Sequence, residues 1–286
     1  MTNSVLYEAP GPAAKRRALV LSAVVGAVLL ALLTWVLITL GANDQLTAEK
    51  WGPLIDPTDA TFTALWSLLG AGLGNTLLAA ALAMAFSLVV GTLLAVSRVT
   101  AAPWYRWIVV GLVELLRGVP VVIAVFFASR VLPSLGLDMP VFWYLVIGLT
   151  AYNSVIIAEI VRAGILSLPR GQGEAAYAIG LRRSQVLRTV LLPQAFRAML
   201  PALISQLVVV VKDTSLGFII SYADTVRQGQ IIIQNLNNPI QTYLIIGVIF
   251  ILINYALSRV AVFTERRLSQ GRKTANAPVA AADAGE

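Results

Sequence analysis

Residues 171–195, GQGEAAYAIGLRRSQVLRTVLLPQA, interrupt a chain that is almost pure hydrocarbon on either side. Arg182, Arg183, Arg188 and Glu174 fall within them. Glu174-Ala175-Ala176 opens a helical pattern, and a glutamate in a first turn complements the positive helix end. Gly180 stops that turn or lets another backbone approach closely. Ser184 fits the N-cap of a second short helix running to Leu192. Pro193 fits the first turn of the next helix, where its missing N–H is no loss. The segment therefore reads as a short surface helix, a glycine bend and a second helix feeding an apolar span. Spacing alone leaves two readings open: a loop whose arginines meet anionic lipid, or a rigid knob offered to a cytosolic partner.

The rest of the chain places this segment against a bilayer. Of 286 residues, 58% are hydrophobic and 12% charged, against about 25% charged in soluble domains. Ala18–Ala42 carries no charge over 25 residues, and Ala60–Ser97 none over 38. A helix needs about 20 apolar residues to cross a bilayer core. Six spans are predicted, at 18–41, 73–97, 107–131, 140–161, 198–220 and 241–262. The first is too long for the roughly 7–15-residue core of a signal peptide, so it reads as a retained helix behind a cytoplasmic leader, residues 1–17. With no cysteine or histidine, disulfides, thiolate metal sites and the usual proton switch are excluded. The sequence calls for no metal or other cofactor.

Basic residues set the orientation. Lys15, Arg16 and Arg17 flank the first span, Arg98 and Arg106 lie between the second and third, and Arg170, Arg182, Arg183, Arg188 and Arg197 between the fourth and fifth. Arg266, Arg267, Arg272 and Lys273 follow the sixth. The alternate loops hold Asp44, Glu49, Asp56, Asp59, Asp138 and Asp224. By the positive-inside bias both termini are cytoplasmic, and so is the 171–195 segment. The net charge of +7 then reflects cytoplasmic retention and not a nucleic-acid partner. Residues 61–74, TFTALWSLLGAGLG, are expected to lie along the outer surface, with Trp66 at headgroup level and Gly70, Gly72 and Gly74 turning the chain inward. Gly70 and Gly74 also have the spacing of a helix-packing motif. Trp104, Trp107, Trp143 and Tyr144 sit near span ends as interface anchors. The small, polar end of the chain makes residues 266–286 a flexible cytoplasmic tail.

Glu174, Ala175, Ala176, Gly180, Val190, Leu192 and Pro193 together resemble the Glu-Ala-Ala loop of the binding-protein-dependent ABC importer permeases. The family pattern is Glu-Ala-Ala, three residues, Gly, nine residues, Ile, one residue, Leu-Pro, and only Val190 departs from it. Glu114–Pro120 (ELLRGVP), the run from Ala158 (AEIVRAGILSLPRGQGEAA) and Val211–Leu216 (VKDTSL) resemble the polar amino-acid subfamily. The likeness covers residues 70–265, and the leader with its extra first helix resembles actinobacterial glutamate-uptake permeases. It implies an all-α membrane protein: a five-helix permease core plus one extra N-terminal helix. It also implies that 171–195 is the coupling helix seated on a separate ATPase, through Glu174, Ala175, Ala176, Gly180, Leu192 and Pro193. The implied partners are ATP-binding cassette ATPase subunits, an extracytoplasmic amino-acid-binding protein, and a second permease, homologous or identical. ATP binding would close the ATPases, move the coupling helices and open the pathway outward.

Charges inside spans cost about 2.5–3.5 kcal/mol each on insertion scales and face a protein interior or water. Glu114 and Arg117 share a helix face, and Gly118 and Pro120 behind them predict a kink. Glu159 and Arg162 repeat the spacing. Lys212, Asp213, Thr214 and Ser215 make a polar belt in the fifth span. Glu114 and Arg117 with this belt are candidates for a substrate pathway; helix glue or snorkelling is the bland reading of all three groups. The chain has no Gly-x-x-x-x-Gly-Lys-Ser/Thr phosphate loop, so it is no ATPase itself. A rival function is an ion-gradient-driven secondary transporter, marked by internal repeats and paired broken helices; no repeat is visible. A membrane-embedded enzyme ranks last, for want of a convergent catalytic cluster.

Overall fold

The structure, a computed structural model, describes residues 11–100 and 103–275, with side chains at 11–100 and 107–267. Residues 1–10 of the leader, residues 276–286 of the tail and the side chains of Trp104, Arg106, Arg272 and Lys273 lie outside the described residues. Every regular element among the described residues is helical. In order they are α1 (Pro12–Ala42), α2 (Ala48–Ile55), α3 (Phe62–Thr100), α4 (Pro103–Gly118), α5 (Val121–Ser134), α6 (Val141–Leu166), α7 (Arg170–Ala178), α8 (Arg183–Gln185), α9 (Leu192–Asp213), α10 (Thr225–Leu236) and α11 (Pro239–Ala275). A π-helical turn, Val186–Leu191, precedes α9, and a 3-10 segment, Thr214–Ile220, follows it.

Among the described residues, five stretches are long and apolar enough to cross a membrane: Pro12–Ala42, Phe62–Thr100, Val141–Leu166, Arg183–Ile220 and Pro239–Arg267. Trp107–Gly118 and Val121–Ser134 meet at 101°, the geometry of a broken span or a re-entrant loop, and taken together make a sixth candidate crossing. The predicted span at 107–131 is thus not one straight helix. Pro120 has no N–H to continue the ladder, and its ring pushes Val119 out of the helical region. The chain is an all-α polytopic membrane protein.

α6 lies at the centre, packed by α3, α5 and α9, and its most apolar window is 56% buried. Lipid tails are as apolar as leucine, so helix association here depends on close backbone approach and shared polar groups. A Cβ on Gly91 of α3 would come within 2.6 Å of the Ser154 carbonyl on α6. One on Gly148 of α6 would come within 2.6 Å of Val125 Cα on α5. Both crossings therefore require glycine. Inside the bundle, Gln206 on α9 donates to Asn153 on α6 at 2.8 Å, and Asn153 donates back to the Leu149 carbonyl at 2.9 Å. α1, by contrast, is unburied along its apolar window.

Several expectations are corrected. Residues 61–74 do not turn inward: α3 runs unbroken for 39 residues, about 58 Å at 1.5 Å per residue, against a hydrocarbon core of about 30 Å. Its N-terminal third is packed by α10. A Cβ on Gly72 would meet Gln228, Asp224 and Thr225 at 2.8–3.0 Å, whereas Gly70 and Gly74 have open space around them. Gly72 is thus the packing glycine, and neither the corner nor the Gly70/Gly74 motif forms. Trp66 donates from Nε1 to the Leu54 carbonyl at 3.0 Å and ties α3 to α2. Tyr144 is buried, and its hydroxyl donates to the Leu137 carbonyl and accepts from Met139 N–H, so it is an internal staple and not an interface anchor. Trp107 is exposed, as an anchor requires. α11 continues through the start of the predicted tail, to Ala275.

Candidate functional site

The knob between α6 and α9 is built by short-range hydrogen bonds. After α7, Gly180 takes a φ of +85°. Its N–H bonds to the Tyr177 carbonyl at 2.9 Å and the Leu181 N–H reaches the Ala176 carbonyl at 3.2 Å, the paired closure that a left-handed residue permits. The α8 turn opens at Arg182, not Ser184: Gln185 Oε1 accepts the Arg182 N–H at 2.8 Å. Pro193 stands in the first turn of α9. Its ring crowds the carbonyl four residues back and it supplies no donor, which fits the wider turn before it, where Leu192 N–H bonds to the Leu187 carbonyl.

Two long-range bonds fix the knob to the bundle. Arg183 Nη2 donates to the Val99 carbonyl at the end of α3, at 2.8 Å. Gln194 Nε2 donates to Gln172 Oε1 at 3.1 Å and holds α9 against α7. Ala176, Val186 and Leu187 fill its interior, while Tyr177 and Ile179 are 50% and 78% exposed at the tip. α7 starts at Arg170, so Glu174 lies mid-helix and not in the first turn. Glu174, Ala175, Gly180 and Pro193 are exposed, Leu192 is half-buried and Ala176 is buried. The motif residues therefore divide between the outer face and the internal fit of the knob. Tyr177 and Ile179 went unmarked in the sequence, and two large apolar side chains beside a glycine bend were the available signal.

Above the knob lies an ion cluster. Glu159 on α6 is paired with Arg98 of α3, with Arg162 at 2.7 Å and with Arg117 of α4 at 3.7 Å. Arg117 also lies 3.8 Å from Glu114. The structure thus joins two pairs that the sequence separates, and adds Arg98, read there only as a topology marker.

The third polar group is where α9 changes to a 3-10 helix. Thr214 is buried and its hydroxyl donates to the Val211 carbonyl at 2.7 Å, while Ser215 donates to the Lys212 carbonyl at 2.6 Å. These bonds return the side chains to their own helix. Lys212 is exposed and Asp213 half-buried. Among the described residues no carboxylate oxygen lies within 4.0 Å of the Lys212 ammonium. These residues lie well apart from the knob, at the other end of α9.

A further polar network holds α10 against α3. Asn75 donates to the Ala223 carbonyl at 2.8 Å, Tyr222 to the Asn75 carbonyl at 3.0 Å, and the Thr76 and Thr225 hydroxyls lie 3.0 Å apart. Asp224 caps α10, accepting from Arg227 N–H at 2.7 Å, and is fully buried. Its other oxygen, Oδ2, has no hydrogen-bond partner among the described residues. Asp224 lies outside the spans, and burial pushes its carboxyl up to about 6.

Residues 87–270 match the family model described as binding-protein-dependent transport system inner membrane component. Over 240 residues the chain is 39% identical to the glutamate transport system permease protein GluD of Corynebacterium glutamicum, covering 83% of this chain and 86% of that protein. It is 32% identical over 228 residues to the L-cystine transport system permease protein TcyB of Bacillus subtilis, covering 79% and 97%. A solved amino acid ABC transporter, crystallised with histidines, superposes with a TM-score of 0.66 at 28% identity, covering 72% of this chain and 97% of that one.

Proposed function

The chain belongs to the family of binding-protein-dependent transport system inner membrane components, and from that premise we propose that it is the permease subunit of an ATP-driven importer of a polar amino acid, namely glutamate. It sits in the plasma membrane as a multi-pass protein, and the knob at 171–195 faces the cytosol. ATPase subunits supply the energy, an extracytoplasmic binding protein delivers the amino acid, and a second permease, homologous or identical, completes the pathway. Family membership argues against an ion-gradient-driven transporter.

One observation carries the coupling role. The knob is internally packed and closed by left-handed Gly180, yet turns Tyr177 and Ile179 outward. Exposed apolar side chains on a rigid projection suit a protein groove better than anionic lipid headgroups. Glu174, Ala175, Gly180 and Pro193 share that exposure; Ala176 and Leu192 maintain its shape. For the substrate, support comes from the glutamate permease relative and from Lys212, whose ammonium has no carboxylate within 4.0 Å among the described residues and so suits an amino-acid carboxylate. Asp213, Thr214 and Ser215 complete that belt, and Glu114 and Arg117 border the pathway at the knob end.

Reconstitution tests the reading. Vesicles holding the chain, its ATPase and its binding protein should take up labelled glutamate only with ATP inside, in preference to glutamine and cystine. A photo-crosslinker at Ile179 should capture the ATPase. Accumulation by the chain alone along an ion gradient would overturn the proposal, as would an Ile179 probe that never reaches the ATPase.

A further inference from the structure

Glu159 is one carboxylate facing three guanidinium groups from three elements: Arg98 in the last turn of α3, Arg162 one turn along α6, and Arg117 in the last turn of α4. The three contacts are unequal. Arg162 grips Oε2 through Nε at 3.0 Å and Nη2 at 2.7 Å. Arg98 is hydrogen-bonded to Oε1. Arg117 reaches the same Oε1 only at 3.7 Å, beyond hydrogen-bonding distance, and its side chain is 47% exposed against 20% for Arg98.

Arg117 also has a second carboxylate at almost the same distance, Glu114 at 3.8 Å on its own helix. Arg98 and Arg162 are both hydrogen-bonded to Glu159, and like charges drawn to one carboxylate repel one another. The weakest-held and most exposed of the three therefore leaves at least cost, and Glu114 receives it. Its position gives the exchange a mechanical meaning. The 101° break between α4 and α5 begins two residues after Arg117, at Val119. The Val99 carbonyl, next in the chain to Arg98, is the acceptor that anchors Arg183 of the knob.

Resting on the transport reading above, we propose that Glu159 is a positioning residue that sets the bend between α4 and α5, with Arg117 as its releasable partner. Held by Glu159, Arg117 ties α4 to α6 beside the knob's anchor. Passed to Glu114, it frees α4 to swing about Val119 and Pro120. Displacement of the knob pulls on the end of α3, shifts Arg98 relative to Glu159 and redistributes Arg117 between its two carboxylates.

Nitroxide labels at Ile108→Cys and Phe127→Cys, exposed positions on the two sides of the break, test this in a chain that has no native cysteine. The full chain is measured in lipid nanodiscs, alone and assembled with its ATPase and binding protein. Arg117→Gln and Glu159→Gln should broaden the distribution of interlabel distances. Glu114→Gln should narrow it, because the alternative partner is gone. Uptake per ATP hydrolysed should fall about tenfold in all three, inside the 5–150-fold range of typical coupling between sites. Arg117→Lys should restore both readouts, since a contact at 3.7 Å needs the charge and not the guanidinium fork. Should Glu159→Gln fail to fold, the Arg117 and Glu114 variants, both at half-exposed side chains, decide alone. An unchanged distribution in Arg117→Gln, or broadening in Glu114→Gln, overturns the clasp. Absence of ATP-dependent uptake by the wild-type assembly refutes the transport reading instead, and leaves the label distances to judge the clasp.

Discussion

Lys212 and Asp224 are polar residues that the fold leaves incompletely matched, in opposite ways. Lys212 is exposed with no carboxylate in reach among the described residues, as a transient ligand contact requires. If it meets the substrate carboxylate, Lys212→Ala removes a charge-assisted hydrogen bond worth about 1.5–3 kcal/mol, so uptake efficiency should fall about 10–100-fold. Affinity of the binding protein for the amino acid should not change, and parallel measurement of transport kinetics and binding checks the difference. Asp224 is sealed in, with Oδ2 unbonded, and burial pushes it from 3.8 to about 6. A carboxyl raised in the folded state binds its proton more tightly there than when unfolded. Its contribution to stability is therefore full below pH 3.8 and lost as the pH rises through 6, by an amount on the order of 3 kcal/mol. Asp224→Asn keeps a good N-cap without the charge. Its melting temperature relative to wild type should climb between pH 4 and 7 and then level off. A constant difference across that range would show that Asp224 stays ionised when buried.

At the scale of elements, turns and helix ends carry the site. Gly180 has space around it for a Cβ, so any penalty at this position comes from its φ of +85° and not from a clash. A left-handed non-glycine residue costs about 1–2 kcal/mol. Gly180→Ala should therefore loosen α7 without affecting the spans, lowering uptake per ATP several-fold while insertion and melting of the bundle stay as in wild type. Gly180→Trp should abolish coupled uptake, and ATP-driven uptake assays on both variants in vesicles check the order. The knob was legible as helix, glycine bend and helix because glycine and proline act locally. Its cap was misplaced by two residues, at Ser184 instead of Arg182, because the side chain that makes the bond, Gln185, lies further along. The continuity of α3 was not legible: three glycines looked like a corner until α10 covered Gly72.

For the molecule as a whole, α1 stands apart from the packed bundle, unburied along its apolar window, with its C-terminal end held through residues 43–50. Gln241 donates to the Gln45 carbonyl, and Asn238 donates to the Lys50 carbonyl at 3.2 Å. Deleting residues 1–42 should leave a folded chain that still assembles and takes up substrate at no less than about half the wild-type rate, since little packing is lost. Uptake in vesicles matched for protein content checks this, and collapse of the core would show that α1 is structural. The sequence by itself determined the class, the apolar stretches able to cross a membrane and the place of the knob. Hydrophobic run length, basic flanks and glycine or proline chemistry are properties of neighbouring residues, and the bilayer acts on them one segment at a time. Only the tertiary structure decided which charges and glycines meet. Glu159 joins Arg98 and Arg117 from distant elements, Gln206 finds Asn153, and Gly72 receives α10. Such pairings depend on how helices far apart in the chain cross, and residue spacing does not encode that crossing.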